Sequence, residues 1–287
     1  MAENSKTRIG VVREEFNFYE PKKLQGIVEV IGGFYSDSPS RFKVLPNGKL
    51  EIMFFLEGSS DCSLSFSKQT EGESGHGVKQ PCILFGDFTK PTYISFQRIH
   101  MMVVIMEPIA AKAVFGLPAY EMKDVAIEPF MIKNSIPYIQ DNLQRLPNFT
   151  ARAQFLENFI LKKIQEFPEL LMMKRLIQST QIVASGYNGF KPESRLDWDH
   201  INFSRAHFHR LCKDWLGITY AQYLGVHQFR KVLNQIATTD IPLTDIAYSH
   251  GYFDQSHFNR RFKAYSDMSP GAFRKARLKI APDTIVL

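Results

Sequence analysis

The apolar positions of the chain fall into two regimes. Up to about residue 130 they come in short runs, Leu50–Leu56, Ser63–Phe66, Ile83–Phe85 and Ile99–Met106, set apart by clusters of Gly, Ser and Pro. Runs of that length between turn-forming residues predict strands, and their succession predicts an antiparallel sheet or a small barrel. One short helix interrupts them: Pro108 suits a first helical turn, Ile109–Phe115 continues it, and Gly116 suits the left-handed position that closes it. From about Pro129 apolar residues instead recur every three or four positions. Thr150 can cap a helix that carries Phe155, Leu156, Phe159, Ile160 and Ile164 along one side, and Pro168 interrupts it. That amphipathic stretch suits core or dimer packing better than catalysis. The pattern predicts an α+β chain with three parts: a strand-rich, sheet-like or barrel-like sensory or dimerisation domain over 1–130, a helical linker or dimerisation segment over 131–168, and an all-α domain over 169–287.

The all-α part repeats itself. Phe203-Ser-Arg-Ala-His-Phe-His-Arg210 lies fifty residues ahead of Phe253-Asp-Gln-Ser-His-Phe-Asn-Arg260. The correspondence extends downstream to Lys213 with Lys263, Trp215 with Tyr265, Thr219 with Ser269 and Tyr223 with Phe273. Upstream, Pro192 answers to Pro242 and Leu196 to Ile246, and Asn202 is read as the counterpart of Gly251.

The second copy spells out a helix-turn-helix. Pro242 starts a short helix with the large and small apolar pair Ile246 and Ala247; Gly251 supplies the left-handed residue that ends it; Asp254 caps a second helix that buries Phe258 and Phe262. Gln255, Ser256, Asn259 and Arg260 are then left facing outward from the first turns of that second helix, the end that a helix-turn-helix lays in the major groove. Arg can bind guanine O6 and N7, and Asn or Gln can bind adenine N6 and N7, so the residue types suit base reading. In the first copy Ser204 takes the cap, and Arg205, Ala206, His209 and Arg210 hold the outward positions. Its first helix is degenerate, because Asp197 stands where Ala247 stands in the second. Between the copies, Thr219 can start a connecting helix with Phe229, Val232, Leu233 and Ile236 on one side. Held about one DNA turn apart, roughly 34 Å, the two reading helices would reach successive major grooves on one face of a duplex.

Charge sharpens this division. Residues 1–170 hold 19 Lys+Arg against 20 Asp+Glu, whereas 171–287 hold 16 against 9, so the net +6 sits in the all-α part. A basic balance confined there suits a polyanionic partner, duplex DNA. No apolar run approaches a membrane span, and Met1–Glu15 has no apolar core of a secretion signal, so the expectation is a cytoplasmic protein without a membrane partner. Cys62, Cys82 and Cys212, odd in number and unevenly spaced, fit neither a disulfide framework nor a zinc cluster.

With those residues in place, Ile241-Pro-Leu-Thr-Asp-Ile-Ala-Tyr-Ser-His-Gly251-Tyr-Phe-Asp-Gln-Ser-His-Phe-Asn-Arg-Arg-Phe-Lys263, followed by Met268-Ser-Pro-Gly-Ala-Phe-Arg274, resembles the signature of the AraC/XylS family of bacterial transcription regulators. The resemblance covers roughly residues 170–277. Asp267 departs from it, standing where the family usually has glycine before the Ser-Pro element. The resemblance implies an activator that contacts DNA through Ala206, His209 and Arg210 in the first unit and Gln255, Ser256, Asn259 and Arg260 in the second, with RNA polymerase as a partner. Val44–Phe55 and Phe115-Gly-Leu-Pro118 are similar to the N-terminal domain of one subgroup, which implies a small effector or a homodimer.

Two other classes compete. A DNA-coating architectural protein would share the charge but not the outward Gln255, Asn259 and Arg260. A metal-dependent or repair enzyme would need convergent ligands or an activated thiol. The N-terminal part offers only His76, in a Gly-flanked loop, and His100, and no basic cluster adjoins Cys62 or Cys82. The expectation is therefore no enzyme, no metal and no cofactor.

Overall fold

Alternation along β4 (Leu50–Phe55) decides the architecture of the N-terminal part. Leu50, Ile52 and Phe54 face one core and Met53 and Phe55 the other, and all are buried, so the sheet that contains β4 is covered on both faces. The computed structural model describes residues 14–57, 62–65, 77–78, 82–86, 89–127, 135–185, 204–276 and 284–286. Within it, a six-stranded sheet runs in the order β1 (Glu14–Tyr19), β2 (Val28–Ser36), β9 (Ile99–Met106), β4, β7 (Cys82–Gly86) and β10 (Ala126–Ile127). A five-stranded sheet packs against it in the order β11 (Thr284–Val286), β3 (Ser40–Val44), β8 (Thr92–Phe96), β5 (Cys62–Ser65) and β6 (Gly77–Val78). The layer between them is aromatic: Phe34 lies edge-on to Phe42 and Phe96 at 5.8 and 5.7 Å, and Phe55 and Phe85 extend the same core. Where the sequence left sheet and barrel open, the fold is an open sandwich, with no ladder closing either sheet among the described residues.

Helices cover the outer face of the six-stranded sheet. α1 (Ala110–Phe115) ends at Gly116, whose φ of +75° is the left-handed position expected from the sequence. α2 (Ser135–Arg145) and α3 (Phe149–Gln165) follow, and α3 buries Leu156, Ile160 and Ile164 on the sheet. The cap of α3 corrects the expectation from sequence: Asn148, not Thr150, accepts the Ala151 amide at 2.9 Å, and the helix starts a residue ahead of Thr150. Both are good cap residues, and Asn148 prevails because starting at Phe149 sets that ring over Gly33. A Cβ at Gly33 would lie 2.7 Å from the Phe149 ring, so the close approach needs glycine. Glu157, also buried, accepts from Tyr19 Oη at 2.7 Å and from the Lys23 amide at 3.1 Å, which satisfies a carboxylate otherwise costly to bury. α4 (Glu169–Ser185) begins just after Pro168.

Five helices make up the C-terminal part: α5 (Arg205–Leu216), α6 (Tyr220–Thr238), α7 (Leu243–Ser249), α8 (Gln255–Ser266) and α9 (Pro270–Ala276). The chain is thus α+β, strands first and helix-turn-helix elements after them, except that β11, beyond α9, returns to pair with β3, so the segment expected to be all-α ends in a strand. One core cluster passes without a break from the outer face of the sheet through α1, α3 and α4 to Phe208, Cys212, Trp215 and Tyr223 on α5 and α6. Cys82 and Cys212 are buried and unbridged, and burial pushes the Cys82 thiol above its ordinary range. No helix among the described residues is long and apolar enough to cross a membrane.

Candidate nucleic-acid interface

The second unit forms as its sequence predicts. α7 buries Ile246 and Ala247, then turns through Gly251 at φ +76°, where the Gly251 amide donates to Tyr248 O and the Tyr252 amide to Ala247 O, both at 3.0 Å. Asp254 Oδ1 accepts the His257 amide at 2.6 Å and fixes the first turn of α8. Phe258 and Phe262 are completely buried against Phe229, Ile236 and Ile246, while Gln255, Ser256, Asn259 and Arg260 are all exposed. At about 100° per residue those four span an arc of about 140° along the N-terminal half of α8, beside the buried stripe. His250, half-buried, pins the turn to α6 by pairing Nε2 with Gln235 Oε1 at 2.7 Å.

The first unit mirrors it where it is described. α5 and α8 each have 12 residues and start fifty positions apart, and their capping residues share that spacing. Ser204 Oγ accepts the His207 amide at 3.3 Å; Phe208, Cys212 and Trp215 are buried; Arg205, Ala206 and Arg210 are exposed and His209 is half-buried. Arg210 Nη2 donates to His207 Nδ1 at 2.8 Å, which sets the guanidinium along the helix. The segment expected from sequence to form the upstream helix, with Pro192, Leu196 and Asp197, lies outside the described residues, as do Asn202 and Phe203. A strict offset of fifty pairs Asn202 with Tyr252, and Ile201 with Gly251, so Asn202 corresponds to the turn glycine only through a shift of one residue.

α6 joins the units. Thr219 and Gln222 form a capping box at its start, and Phe229, Val232, Leu233 and Ile236 are buried along it, as the sequence predicts. The repeat also places two C-terminal caps, Gly217 at φ +76° and Asp267 at φ +56°. Asp267, the departure from the family glycine, therefore keeps the glycine conformation.

Contacts that the sequence did not announce hold the sandwich to both units. On the first, Lys112 pairs with Asp214 at 2.5 Å and lies 4.8 Å from the Trp215 ring centre. On the second, Lys43 Nζ donates to Ser266 O at 2.5 Å and sits 3.8 Å from Asp267, to which Tyr93 Oη also donates at 3.4 Å. Burial, then the Asp267 carboxylate, push the Tyr93 phenol up to about 12. Leu45, between β3 and β4, is fully buried, and the core cluster it belongs to is otherwise made of residues of the connecting helix α6 and of the second unit. Lys49 is buried against Glu107 and Glu29, and Glu29 reaches Arg230 of α6 at 3.0 Å. Burial would raise the Glu29 carboxyl, but Lys49 and Arg230 outweigh it and hold it below its ordinary value. These contacts touch the far ends of α5 and α8 and leave their N-terminal turns open.

One histidine in this junction makes folding sensitive to acid. His227 packs edge-on to Tyr223 at 4.3 Å between ring centres, and its Nε2 is buried with no hydrogen-bond partner. Burial, followed by the fields of Lys49, Arg230 and Lys231, pushes its pKa from 6.5 down to about 3, against the opposing charge of Glu29. Between those values the unfolded chain binds a proton that the folded chain refuses, so stability falls as pH drops below about 6.5. The expected loss between pH 7 and 5.5 is about 1 kcal/mol. His227→Gln should reduce that slope in urea titrations, leaving the share of His100 and His250, whose pKa values burial also lowers, and an unchanged slope would exclude His227 as a source.

Comparison with known proteins finds a helix-turn-helix match over the same part of the chain. Residues 199–276 match a family described as "Helix-turn-helix domain", and residues 19–128 match a domain of unknown function, DUF6597. Over 79 residues the chain is 33% identical to the HTH-type transcriptional activator RhaS of Citrobacter koseri, covering 28% of each chain. Over 75 residues it is 27% identical to the HTH-type transcriptional activator AarP of Providencia stuartii, covering 26% of this chain and 56% of AarP. The match therefore spans less than two thirds of either relative. Among solved structures, apo ToxT K231A of Vibrio cholerae aligns over 95% of this chain and all of its own, with 11% identity and a TM-score of 0.41.

Proposed function

We propose that the chain, a DNA-binding transcription regulator by its helix-turn-helix match, is an activator of the AraC/XylS family reading a specific duplex through two successive major grooves. α8 enters one groove: Arg260 is assigned to guanine O6 and N7, Gln255 and Asn259 to adenine N6 and N7, and Ser256 to a base edge or phosphate. α5 enters the next with Arg205, Ala206, His209 and Arg210. The observation that carries this reading is the duplicated geometry, two capped 12-residue helices that each bury an aromatic and expose the side chains of their first turns. A DNA-coating protein would need the charge alone; repeated capping and outward amide and guanidinium groups favour base reading.

We further propose the division made from sequence: 1–130 as a sensory or dimerisation domain, 131–168 as a helical linker and 169–287 as the DNA-binding domain. RNA polymerase is the partner that activation requires, and a small effector or a second copy is what the N-terminal part would take. The relatives carry regulator names, so no catalytic role is proposed. Hydroxyl-radical footprinting of the full-length protein, on duplex selected from a random library, should protect two patches on one face about 34 Å apart. A single patch would remove one of the two helices from the reading, and uniform protection would favour the coating protein.

A further inference from the structure

Among the described residues, Phe253 is the most exposed of the large apolar ones, at 86%, and it stands in the turn just before the reading helix α8. Its backbone is fixed from both sides. Tyr252 before it is tied to Ala247 O and buried, and Asp254 after it is the helix cap. A residue preceding an N-cap often packs against the fourth residue of the helix, which here is Phe258. That contact is already taken by Tyr252, whose ring lies 5.0 Å from Phe258. Phe253 thus leaves that packing contact to Tyr252, and it stands exposed just ahead of the Asp254 cap, two positions before the exposed Gln255. The same residue type, Phe203, recurs fifty positions earlier, ahead of Ser204.

A fully exposed phenyl group needs an apolar surface outside the chain to be worth its hydration. If α8 lies in the major groove, as the proposed function holds, the apolar group that base edges present there is the thymine C5-methyl. We propose that Phe253 is a specificity-determining residue that reads a thymine methyl next to the base pairs read by Gln255 and Ser256. The contact adds discrimination between T·A and the other pairs without a hydrogen bond.

The test uses the full-length protein and a duplex selected by it from a random library, with each thymine replaced in turn by deoxyuridine, which removes only the methyl group. At one thymine in the half-site protected by α8, affinity should fall about three- to five-fold. Phe253→Ala should bind the parent duplex weaker by a similar factor and should be indifferent to deoxyuridine at that thymine, while losses at other thymines persist. Because the side chain is exposed, the variant should melt at the parent temperature. Equal sensitivity of Phe253→Ala and parent to every deoxyuridine would overturn the proposal and assign Phe253 to the sugar-phosphate backbone. Unchanged DNA affinity of Phe253→Ala would overturn it in favour of a protein partner. Failure of the selection to enrich any sequence would overturn it together with the base-reading function beneath it.

Discussion

Leu45→Ala is expected to destabilise the full-length protein by about 2–5 kcal/mol, the range for truncating a fully buried leucine. The side chain comes from the loop between β3 and β4, yet every other buried member of its cluster lies on the connecting helix α6 or in the second helix-turn-helix unit: Phe229, Val232, Leu233, Ile236, Ile246, Ala247, Tyr252, Phe258, Phe262 and Phe273. The cavity would therefore open in that helical cluster, not inside the sandwich. Leu45→Met, which nearly conserves volume, should cost under about 1.5 kcal/mol. Urea unfolding followed through tryptophan and backbone signals would measure both, and a loss under about 1 kcal/mol for Leu45→Ala would mean that the second unit closes its core without the loop. The same packing bears on an isolated 171–287 fragment. It should bind the selected duplex, because the reading turns are capped within the fragment by Ser204 and Asp254. It should also unfold at a lower temperature than the full chain, because it loses Leu45 and the Lys43 bond to Ser266 O.

What was legible in the sequence was local. The caps at Ser204, Thr219 and Asp254, the left-handed Gly251 and the buried Phe258 and Phe262 all act within a few residues of themselves, so the duplication at offset fifty could be read before any tertiary contact was known. The α3 cap was misplaced because Asn148 and Thr150 are both good candidates, and a packing contact between Phe149 and Gly33 decides between them. The sandwich was left open against a barrel because alternation tells which face is buried but not which edges pair. Least legible was the junction. Lys43 and Lys49 are cations that pattern alone places in water, yet both are buried, Lys43 against Ser266 and Lys49 against Glu107 and Glu29, contacts from 20 to 223 residues apart in sequence. Asp267 shows how the two levels meet. Alone it is a departure from glycine that costs about 1–2 kcal/mol in a left-handed conformation. In the fold the same carboxylate lies beside Lys43 and Tyr93, so the departure supplies a contact between the sandwich and the second unit that glycine would lack. The stretch Val44–Phe55 contains both Leu45 and Lys49 and so contributes to that junction.

Arg260→Ala is expected to weaken binding to the selected duplex by up to about 100-fold while weakening binding to random duplex only a few-fold. The guanidinium is exposed on the N-terminal half of α8, one residue beyond Asn259 and one turn beyond Ser256, on a helix whose direction is fixed by the Asp254 cap and the buried Phe258 and Phe262. Nothing in the core rests on it, and alanine is a good helix former, so the variant should fold as the parent does. The charge and the geometry can be separated with Arg260→Lys. Lysine keeps the positive charge that phosphate attraction needs but cannot reproduce the planar fork that meets guanine O6 and N7 together. Arg260→Lys should therefore keep the affinity for random duplex and lose most of the preference for the selected one. Fluorescence anisotropy titrations at a fixed salt concentration would decide it, because the electrostatic share of binding changes with salt. Equal losses on both duplexes for Arg260→Ala, with full rescue by lysine, would make Arg260 a phosphate clamp and leave base reading on α8 to Gln255, Ser256 and Asn259.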